Sequence, residues 1–380
     1  MKRLVFSVPL FILPFLFPAA SAFRPPARKA TSYVVIAYVG GFRGLINADS
    51  IAVEKLTHIN YAFIDIRDGQ AWLHNEHNDT INFSRLNAAR SRNPALKILI
   101  SIGGWSWSKH FSDAVLTDSS RSLFAASAVG IVAAYGLDGV DIDWEYPGMP
   151  GDNNGFRPED KENYTLLFKA LRERFDSLTQ RTGRSYQLTT AVGASDDFIR
   201  HTSMDSASRY LDYINVMSYD FKESGGKLSG HHTNLMTDPN DPAKRSADRA
   251  IRAFEAAGVP ADKIVIGVAF YGHGWKMLSA DNHGLFRPSA APFRVGGGYT
   301  YIRDSLVGQK GYHHYWDRKA KAPWLFQPQE KIFISYDDER SVKAKCKYTE
   351  KNHLAGVMFW EYFGDRKGYL LDVIDHTLEH

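Results

Sequence analysis

The sequence predicts a (β/α)8 barrel, an α/β fold, because eight short apolar runs alternate with helix-like segments over 380 residues. The runs are rich in β-branched residues, and most of them end in glycine, aromatic or acidic residues. The predicted strands cover residues 33–42, 58–66, 97–105, 139–146, 186–194, 213–221, 263–272 and 355–362. A doubly wound open sheet is the alternative, but YVGGFRG is a poor match to the glycine-rich loop that such a sheet would need.

The first residues have the pattern of a secretory signal peptide. Lys2 and Arg3 form a positive n-region, residues 4–17 form an apolar h-region, and an A-x-A-type cleavage site ends at Ala22. A membrane anchor is the alternative, but the apolar run is short for a span and small residues follow it. We therefore expect residues 1–22 to be removed and the mature chain to be secreted, extracellular or periplasmic, with no membrane attachment.

Composition and motif content exclude several classes of protein. The net charge is +4 and no run of Lys or Arg is long enough for a nucleic-acid arm, so we expect no nucleic-acid partner. The sequence contains no C-x-x-C, no H-E-x-x-H and no phosphate-cradling glycine loop. Cys346 is the only cysteine, so no intramolecular disulfide can form, and its place in a predicted amphipathic helix argues against catalysis. We expect a monomer that uses no cofactor.

The segment between the seventh and eighth predicted strands is too long for a connector. Residues 275–333 mix glycine, proline and aromatic residues, and we predict that they form a small α+β insertion domain. A disordered insert is the alternative, but the aromatic content argues against it. Residues 23–274 and 334–380 then form the first and last parts of the barrel.

The fourth predicted strand carries an unusual row of acidic residues. Side chains alternate along a strand, so Asp141, Asp143 and Glu145 share the face that points into the barrel, with Glu145 nearest its mouth. Like charges at this spacing repel, so some of these groups should keep protons near neutral pH, with raised and coupled pKa values. A carboxylic acid with a raised pKa beside an ionised carboxylate is the arrangement that a glycosidase needs.

Two other interpretations of the acidic row remain open at this point. A purely structural acidic cluster is one alternative, but burying three carboxyl groups on an inward strand face is energetically unfavourable without a functional role. A divalent-metal site is the sharper alternative, since Asp220 and Glu361 lie near other strand ends and could add ligands.

Four motifs in order give the chain a resemblance to glycoside hydrolase family 18, the chitinases. The segment DGVDIDWEYP (138–147) resembles the family's D-x-x-D-x-D-x-E motif, and SIGGW (101–105) is similar to its S-x-G-G strand. NVMSYDF (215–221) resembles its M-x-Y-D strand, and GVMFWEY (356–362) its last strand. The predicted insertion resembles the chitinase insertion domain. The resemblance covers about residues 33–375.

The resemblance implies catalytic roles for the acidic row. Glu145 would protonate the glycosidic oxygen and then activate water, and no second carboxylate would attack the sugar. The substrate's own N-acetyl oxygen would do so, through an oxazolinium intermediate and with net retention. Asp143 would orient the acetamido group and stabilise its charge, and Asp141 would share a proton with Asp143.

The resemblance also implies residues that hold the reacting sugar. Tyr219 would donate a hydrogen bond to the acetamido carbonyl, Asp220 and Met217 would shape the same pocket, and Trp360 would form its hydrophobic floor. Further candidates for lining the cleft are Tyr38, Phe63, Trp105, Tyr146, Trp107 and Tyr271. Core packing is the alternative for Tyr38, Phe63, Trp105 and Tyr146. His273 stands where the family often has Arg, and His is shorter and not always charged, so the resemblance does not carry the family's subsite contact over to this position.

These observations predict a secreted retaining chitinase that hydrolyses β-1,4 bonds between N-acetylglucosamine units of chitin and chito-oligosaccharides. A related endo-N-acetylglucosaminidase or a peptidoglycan-active hydrolase shares the same acetamido chemistry and is an alternative. A chitin-binding, lectin-like protein without turnover is a second alternative, although Glu145, which such proteins have lost, is present.

Overall fold

Eight parallel strands close into a barrel, which confirms the predicted fold. The computed structural model describes Met1 and residues 33–378, so residues 2–22 of the predicted signal peptide lie outside the described residues. In chain order the strands are β1 (Val34–Gly40), β2 (His58–Arg67), β3 (Gln70–Trp72), β4 (Lys97–Gly103), β5 (Gly139–Asp143), β6 (Gln187–Gly193), β7 (Tyr213–Met217), β8 (Ile264–Ala269), β9 (Gly272–Met277), β10 (Ser289–Phe293), β11 (His313–Asp317), β12 (Ala322–Gln327), β13 (Ile332–Tyr336) and β14 (Gly356–Trp360).

The barrel consists of β1, β2, β4, β5, β6, β7, β8 and β14. Each of these strands pairs with its neighbours in parallel, and β1 closes the ring by pairing with both β2 and β14. Every residue of β1, β5 and β8 is buried, as expected for parallel strands covered on both faces. The ends of the strands therefore bring distant parts of the sequence to one mouth.

Local capping sets where several helices begin and end. The helices are α1 (Glu76–Ala89), α2 (Phe111–Ala114), α3 (Asp118–Ala134), α4 (Asp160–Thr182), α5 (Asp196–Arg200), α6 (Met204–Ala207), α7 (Ala247–Ala256), α8 (Gly298–Ser305), α9 (Glu339–Lys351) and α10 (Tyr369–Leu378). Thr117 accepts a hydrogen bond from the backbone N–H of Ser120 at the start of α3, and Gly183 ends α4 in the left-handed region. None of the helices described is long and apolar enough to cross a membrane.

A second, antiparallel sheet follows the seventh barrel strand. Its order is β10-β9-β13-β12-β11, and it runs from Gly272 in β9 to Tyr336 in β13. Trp275, Phe326 and Phe333 form a small apolar core on this sheet, apart from the core of the barrel. Much of the segment predicted as an insertion thus belongs to this sheet, and its boundaries as a domain stay a prediction.

Candidate active site

The predicted acidic row lies at the carboxyl end of β5. Asp141 and Asp143 belong to the strand, and Glu145 lies two residues past its end. Their exposed fractions are 0%, 4% and 9%. Trp144 faces the surrounding helix layer instead, where its ring stacks on that of Phe111 with the centroids 5.1 Å apart. The alternation along the chain therefore separates the three carboxyl groups from the apolar face.

Asp141 lies at the bottom of the site, held by four hydrogen bonds. Its Oδ2 accepts from the hydroxyls of Tyr38 at 2.9 Å and Ser101 at 2.8 Å. Its Oδ1 accepts from Thr189 Oγ1 at 2.6 Å and Asn215 Nδ2 at 3.2 Å. Burial raises the pKa of Asp141, while the four donors favour its ionised form and oppose that shift. Donors from four barrel strands thus fix this carboxyl group in place.

Asp143 and Glu145 are buried carboxyl groups whose pKa values lie above those of ordinary carboxyl groups. Burial raises the pKa of Asp143 well above its ordinary value, and the charges of Glu145 and Asp141 add to the shift. Burial also raises the pKa of Glu145 to about 7, against the opposing effect of a hydrogen bond with the Tyr146 hydroxyl. Asp143 Oδ1 has no hydrogen-bond partner among the described residues. One buried carboxyl oxygen is therefore left for a bound ligand.

Backbone contacts fix the loop that carries Glu145. The N–H of Glu145 donates to Ser108 Oγ at 2.9 Å, and the N–H of Gly104 donates to the carbonyl oxygen of Asp143 at 2.7 Å. A Cβ atom at Gly103, whose φ is +106°, would lie 2.3 Å from that same oxygen. The two glycines of SIGGW therefore allow β4 to approach the end of β5 closely.

The raised pKa of Glu145 predicts how activity depends on pH. A general acid works only when protonated, so kcat/KM should fall as pH rises through about 7. The Tyr146 hydroxyl stabilises the ionised form of Glu145, so Tyr146→Phe should raise this pKa and move the alkaline limb to higher pH. The measurement is kcat/KM across pH for both proteins. A limb that stays fixed or moves to lower pH in the variant would contradict the assignment.

Tyr219, just past the end of β7, presents to the cleft a phenol hydroxyl that has only a weak acceptor within the described part of the protein. Within the described residues its hydroxyl contacts the weak acceptor Met358 Sδ at 3.8 Å. Burial raises the pKa of Tyr219 well above its ordinary value, and the negative charges of Asp143 and Asp220 add to the shift. The phenol therefore stays protonated and is available as a hydrogen-bond donor.

Asp220 is the centre of a second polar group in the cleft. Its Oδ1 accepts from the Tyr271 hydroxyl at 2.6 Å and lies 2.8 Å from His273 Nε2. His232 Nδ1 is 3.6 Å from the same oxygen. Burial acts to raise the pKa of Asp220, but the interactions with the two histidines outweigh it and hold this pKa well below its ordinary value. His273, which stands in place of the family's usual Arg, is thus paired with an ionised carboxylate.

Parallel aromatic rings line one side of the cleft. The ring of Trp360 stacks with Phe63 at a centroid distance of 5.4 Å and an interplanar angle of 18°. Phe42 lies 6.3 Å from Trp360 at 21°, and it is 49% exposed. Phe42 was not predicted as a site residue, although it is the last residue of the first predicted strand and directly follows Gly40 and Gly41. Flat apolar faces of this kind fit the apolar faces of sugar rings.

One cleft of about 850 Å³ contains most of the predicted site residues. Those that line it are Tyr38, Phe63, Trp105, Trp107, Asp143, Glu145, Tyr146, Met217, Tyr219, Asp220 and Trp360. Asp141 is buried beneath the cleft. Tyr271 does not line the cleft, but its hydroxyl donates a hydrogen bond to Asp220, which does. Trp105 is 51% exposed, near the ring edge of Tyr146. Sequence analysis missed Phe42, which lies in a 3-10 turn after β1, and Met149, Ser224 and Arg245, which line the same cleft from segments without a motif.

The two residues proposed as extra metal ligands for the acidic row have other partners. Glu361 forms an ion pair with Arg43, with 2.8 Å between Nη2 and Oε1. Asp220 is engaged by Tyr271 and His273, as described above. These contacts of Glu361 and Asp220 are with residues outside the acidic row.

A (β/α)8 barrel with a buried acid of raised pKa, a neighbouring carboxyl group and aromatic platforms in one cleft defines a glycoside hydrolase. The sequence matches the family described as Glycosyl hydrolases family 18 over residues 34–365. The chain belongs to this family, as its four motifs predict.

Several known proteins are similar to the chain over nearly its whole length. Chitinase A1 of Niallia circulans is 35% identical over 93% of this chain, which spans 60% of that protein. Chitinase B of Serratia marcescens is 34% identical over 87% of this chain and 77% of its own length. The structure of a family 18 N-acetylglucosaminidase from Paenibacillus barengoltzii is 42% identical, with a TM-score of 0.85, covering 91% of this chain and 99% of that one.

Proposed function

We propose that the protein is a retaining chitinase that hydrolyses β-1,4 bonds between N-acetylglucosamine units by substrate-assisted catalysis. The observation that carries the proposal is the buried, unpartnered Oδ1 of Asp143 beside Glu145, an acid whose pKa is raised to about 7. A carboxyl oxygen without a partner suits the N–H of an acetamido group. An acid protonated near neutral pH suits the leaving oxygen.

The reaction proceeds in two displacements at one sugar carbon. Glu145 donates its proton to the glycosidic oxygen as the bond between C1 and that oxygen breaks. The carbonyl oxygen of the same sugar's acetamido group attacks C1 and forms an oxazolinium ring. Water then gives a proton to the Glu145 carboxylate and attacks C1, which reopens the ring and regenerates both the acetamido group and the acid. Two inversions at C1 give net retention.

The surrounding side chains stabilise the charge and shape of the reacting sugar. Asp143 accepts a hydrogen bond from the acetamido N–H, and its ionised form is favoured as positive charge develops on that nitrogen. The free phenol of Tyr219 donates to the acetamido oxygen and aligns it with C1. Trp360 forms the apolar floor, and Asp141 keeps the base of the row fixed through its four donors.

The acetamido group provides the sharpest test of this function. The enzyme should hydrolyse a fully N-acetylated oligomer of N-acetylglucosamine, in the presence of a chelator, and release products with the β configuration at C1. The matched substrate is the same oligomer with free amines, and its turnover should fall by at least about 100-fold because the internal nucleophile is lost. Equal turnover of both oligomers, or loss of activity in chelator, would refute the mechanism. Glycopeptide and peptidoglycan are the comparison substrates for the related hydrolases.

Release of single N-acetylglucosamine units from chain ends is a second candidate function. The supporting observation is the 42% identity to the N-acetylglucosaminidase from Paenibacillus barengoltzii over 99% of that chain. The chemistry at C1 would be the same, and the length of the product distinguishes the two functions. Early release of monosaccharide from every oligomer length supports this second function, whereas early release of disaccharide supports the chitinase.

The setting in which the enzyme acts also belongs to this proposal. The signal-peptide pattern of residues 1–22 supports secretion, and the absence of a second cysteine is compatible with a fold stabilised by its core alone. Residues 275–333 are proposed as the insertion domain that forms one wall of the cleft, and the chain is proposed to act as a monomer. Chitin or a soluble chito-oligosaccharide would be the substrate.

A further inference from the structure

A second group of ligand-forming side chains lies in the cleft beside the acidic row. Asp220, His232 and His273 each offer one oxygen or nitrogen atom, and these atoms lie within 4.8 Å of one another. His273 Nε2 is 2.8 Å and His232 Nδ1 is 3.6 Å from Asp220 Oδ1. Two imidazoles and one carboxylate are a ligand set that suits zinc and similar divalent ions.

We propose that Asp220, His232 and His273 bind Zn²⁺ or a similar divalent transition-metal ion. Binding of this ion and binding of the sugar chain are mutually exclusive. The ion takes no part in hydrolysis, which the acidic row performs. The exclusion of the sugar rests on the proposed function, because Asp220 lies in the cleft assigned to the substrate. The binding of the ion rests on geometry alone.

Two of the three separations between ligand atoms are close to those of a tetrahedral site, and the third, between the two imidazoles, is within 4.8 Å. Ligands about 2.0–2.1 Å from a tetrahedral zinc ion lie about 3.3–3.4 Å from each other. The observed separations of 2.8 Å and 3.6 Å fall on either side of that value. Shifts of about half an ångström or less, within the reach of the partly exposed His273 side chain, would bring these two separations to the tetrahedral value.

The imidazole of His232 is buried and forms no hydrogen bond with any described residue, although its Nδ1 lies 3.6 Å from Asp220 Oδ1. The residue is fully buried, and neither ring nitrogen has a hydrogen-bond partner among the described residues. Its backbone is fixed from both sides, because its N–H donates to Ser335 Oγ at 2.9 Å and its carbonyl accepts from the N–H of Phe221 at 3.0 Å. A buried ring nitrogen without a hydrogen bond is costly, and a metal ion bound at Nδ1 would satisfy it.

Further contacts orient the other two ligands and leave room for the ion. Ser224 Oγ lies 3.1 Å from His273 Nδ1, and the Tyr271 hydroxyl donates to Asp220. Outer partners of this kind commonly orient metal ligands. The side chains of Asp220 and His273 are 45% and 21% exposed and both reach the cleft. An ion can therefore enter from solvent and keep water at its fourth position.

A neighbouring cluster provides a matched control. His231, Asp238 and Asp317 also bring three possible ligand atoms within 4.8 Å. His231 and Asp238 are 2% and 4% exposed, so this cluster is nearly closed to solvent. His231 and His232 are adjacent in sequence and similarly buried, so equivalent substitutions at the two positions compare the two clusters directly.

The first test measures metal binding without reference to activity. Zn²⁺ is titrated calorimetrically, and Co²⁺ is titrated by its visible absorption, which reports tetrahedral coordination. His273→Gln, at a partly exposed position, and His232→Gln should each weaken binding by at least about 10-fold. His231→Gln and a double variant of the surface pair His313 and His314 should bind as the wild type does. Unchanged binding in His273→Gln, or loss of binding in His231→Gln, would overturn the proposal.

The second test measures exclusion between ion and sugar in Glu145→Gln, which should bind an oligomer without turning it over. A saturating N-acetylglucosamine oligomer should weaken Zn²⁺ binding by at least about 10-fold. If the oligomer binds and Zn²⁺ affinity does not change, mutual exclusion is refuted. If the oligomer fails to bind while His273→Gln still weakens Zn²⁺ binding by at least about 10-fold, the metal site stands and the proposed function fails.

Discussion

Replacing Glu145 by Gln is expected to lower kcat by about 10²–10⁴-fold, the contribution of a well-placed general acid. The amide keeps the size of the side chain but has no proton to give to the leaving oxygen. Oligomer binding should survive, because the cleft, its aromatic platforms and Tyr219 are unchanged. The measurement is steady-state hydrolysis of an N-acetylated oligomer together with its dissociation constant for the variant.

The control for this variant is Glu173→Gln on the exposed face of α4, where Glu173 has only a loose contact with Lys169 at 3.9 Å. It should match the wild type in kcat and in thermal stability. If Glu145→Gln retained more than about a tenth of wild-type kcat, the loss would be below the range for a general acid. The assignment of Glu145 would then be wrong. If the wild type and Glu145→Gln both bound the oligomer without any turnover, the lectin-like alternative would be favoured.

Replacing Lys345 by Met is expected to destabilise the fold by about 3–5 kcal/mol, because it leaves a buried carboxylate without its cation. Lys345 Nζ and Asp337 Oδ2 are 2.6 Å apart and both side chains are fully buried. Burial lowers the pKa of Lys345, and the charge of Asp337 opposes that shift. The ammonium also donates to Thr233 Oγ1 at 2.6 Å and to the carbonyl of Gly267 at 3.3 Å. Its loss therefore affects α9, β8 and the loop that carries His232.

Urea denaturation of three variants separates an unpaired charge from a lost contact. Lys345→Met with Asp337→Asn removes both charges and should be less destabilised than Lys345→Met alone. Lys169→Met breaks the exposed contact with Glu173 and should change the free energy of unfolding by no more than about 0.5 kcal/mol. Equal stability of Lys345→Met and Lys169→Met would show that the buried pair carries no such energy.

The barrel could be predicted from sequence because its signals are local. Each barrel strand is a short apolar run that the sequence shows directly; seven of the eight predicted runs contain their observed strand, and β2 extends one residue past the end of the remaining run. The acidic row follows from alternation along one strand, so Asp141, Asp143 and Glu145 could be placed on one face without knowledge of any other residue. The family motifs then added Tyr219 and Trp360 on two further strands.

Contacts between distant segments could not be predicted in the same way. Tyr38 and Asp141 are 103 residues apart, and their hydrogen bond exists because the barrel closes β1 near β5. The stacking of Phe42 on Trp360 also depends on that closure, since β1 pairs with β14. No local pattern specifies which loop side chains will meet at the mouth of a barrel.

The sequence alone determined the eight strands, the inward row of carboxyl groups and the family, because alternation and motif order are properties of neighbouring residues. The tertiary structure alone decided the pKa values of those groups and which side chains lie next to them. Burial at the barrel mouth raises the pKa of Glu145 to about 7, and strand closure brings His232 and His273 to Asp220. The reason is physical: desolvation and charge coupling depend on what surrounds a group in space, and the chain sets those surroundings only when it folds.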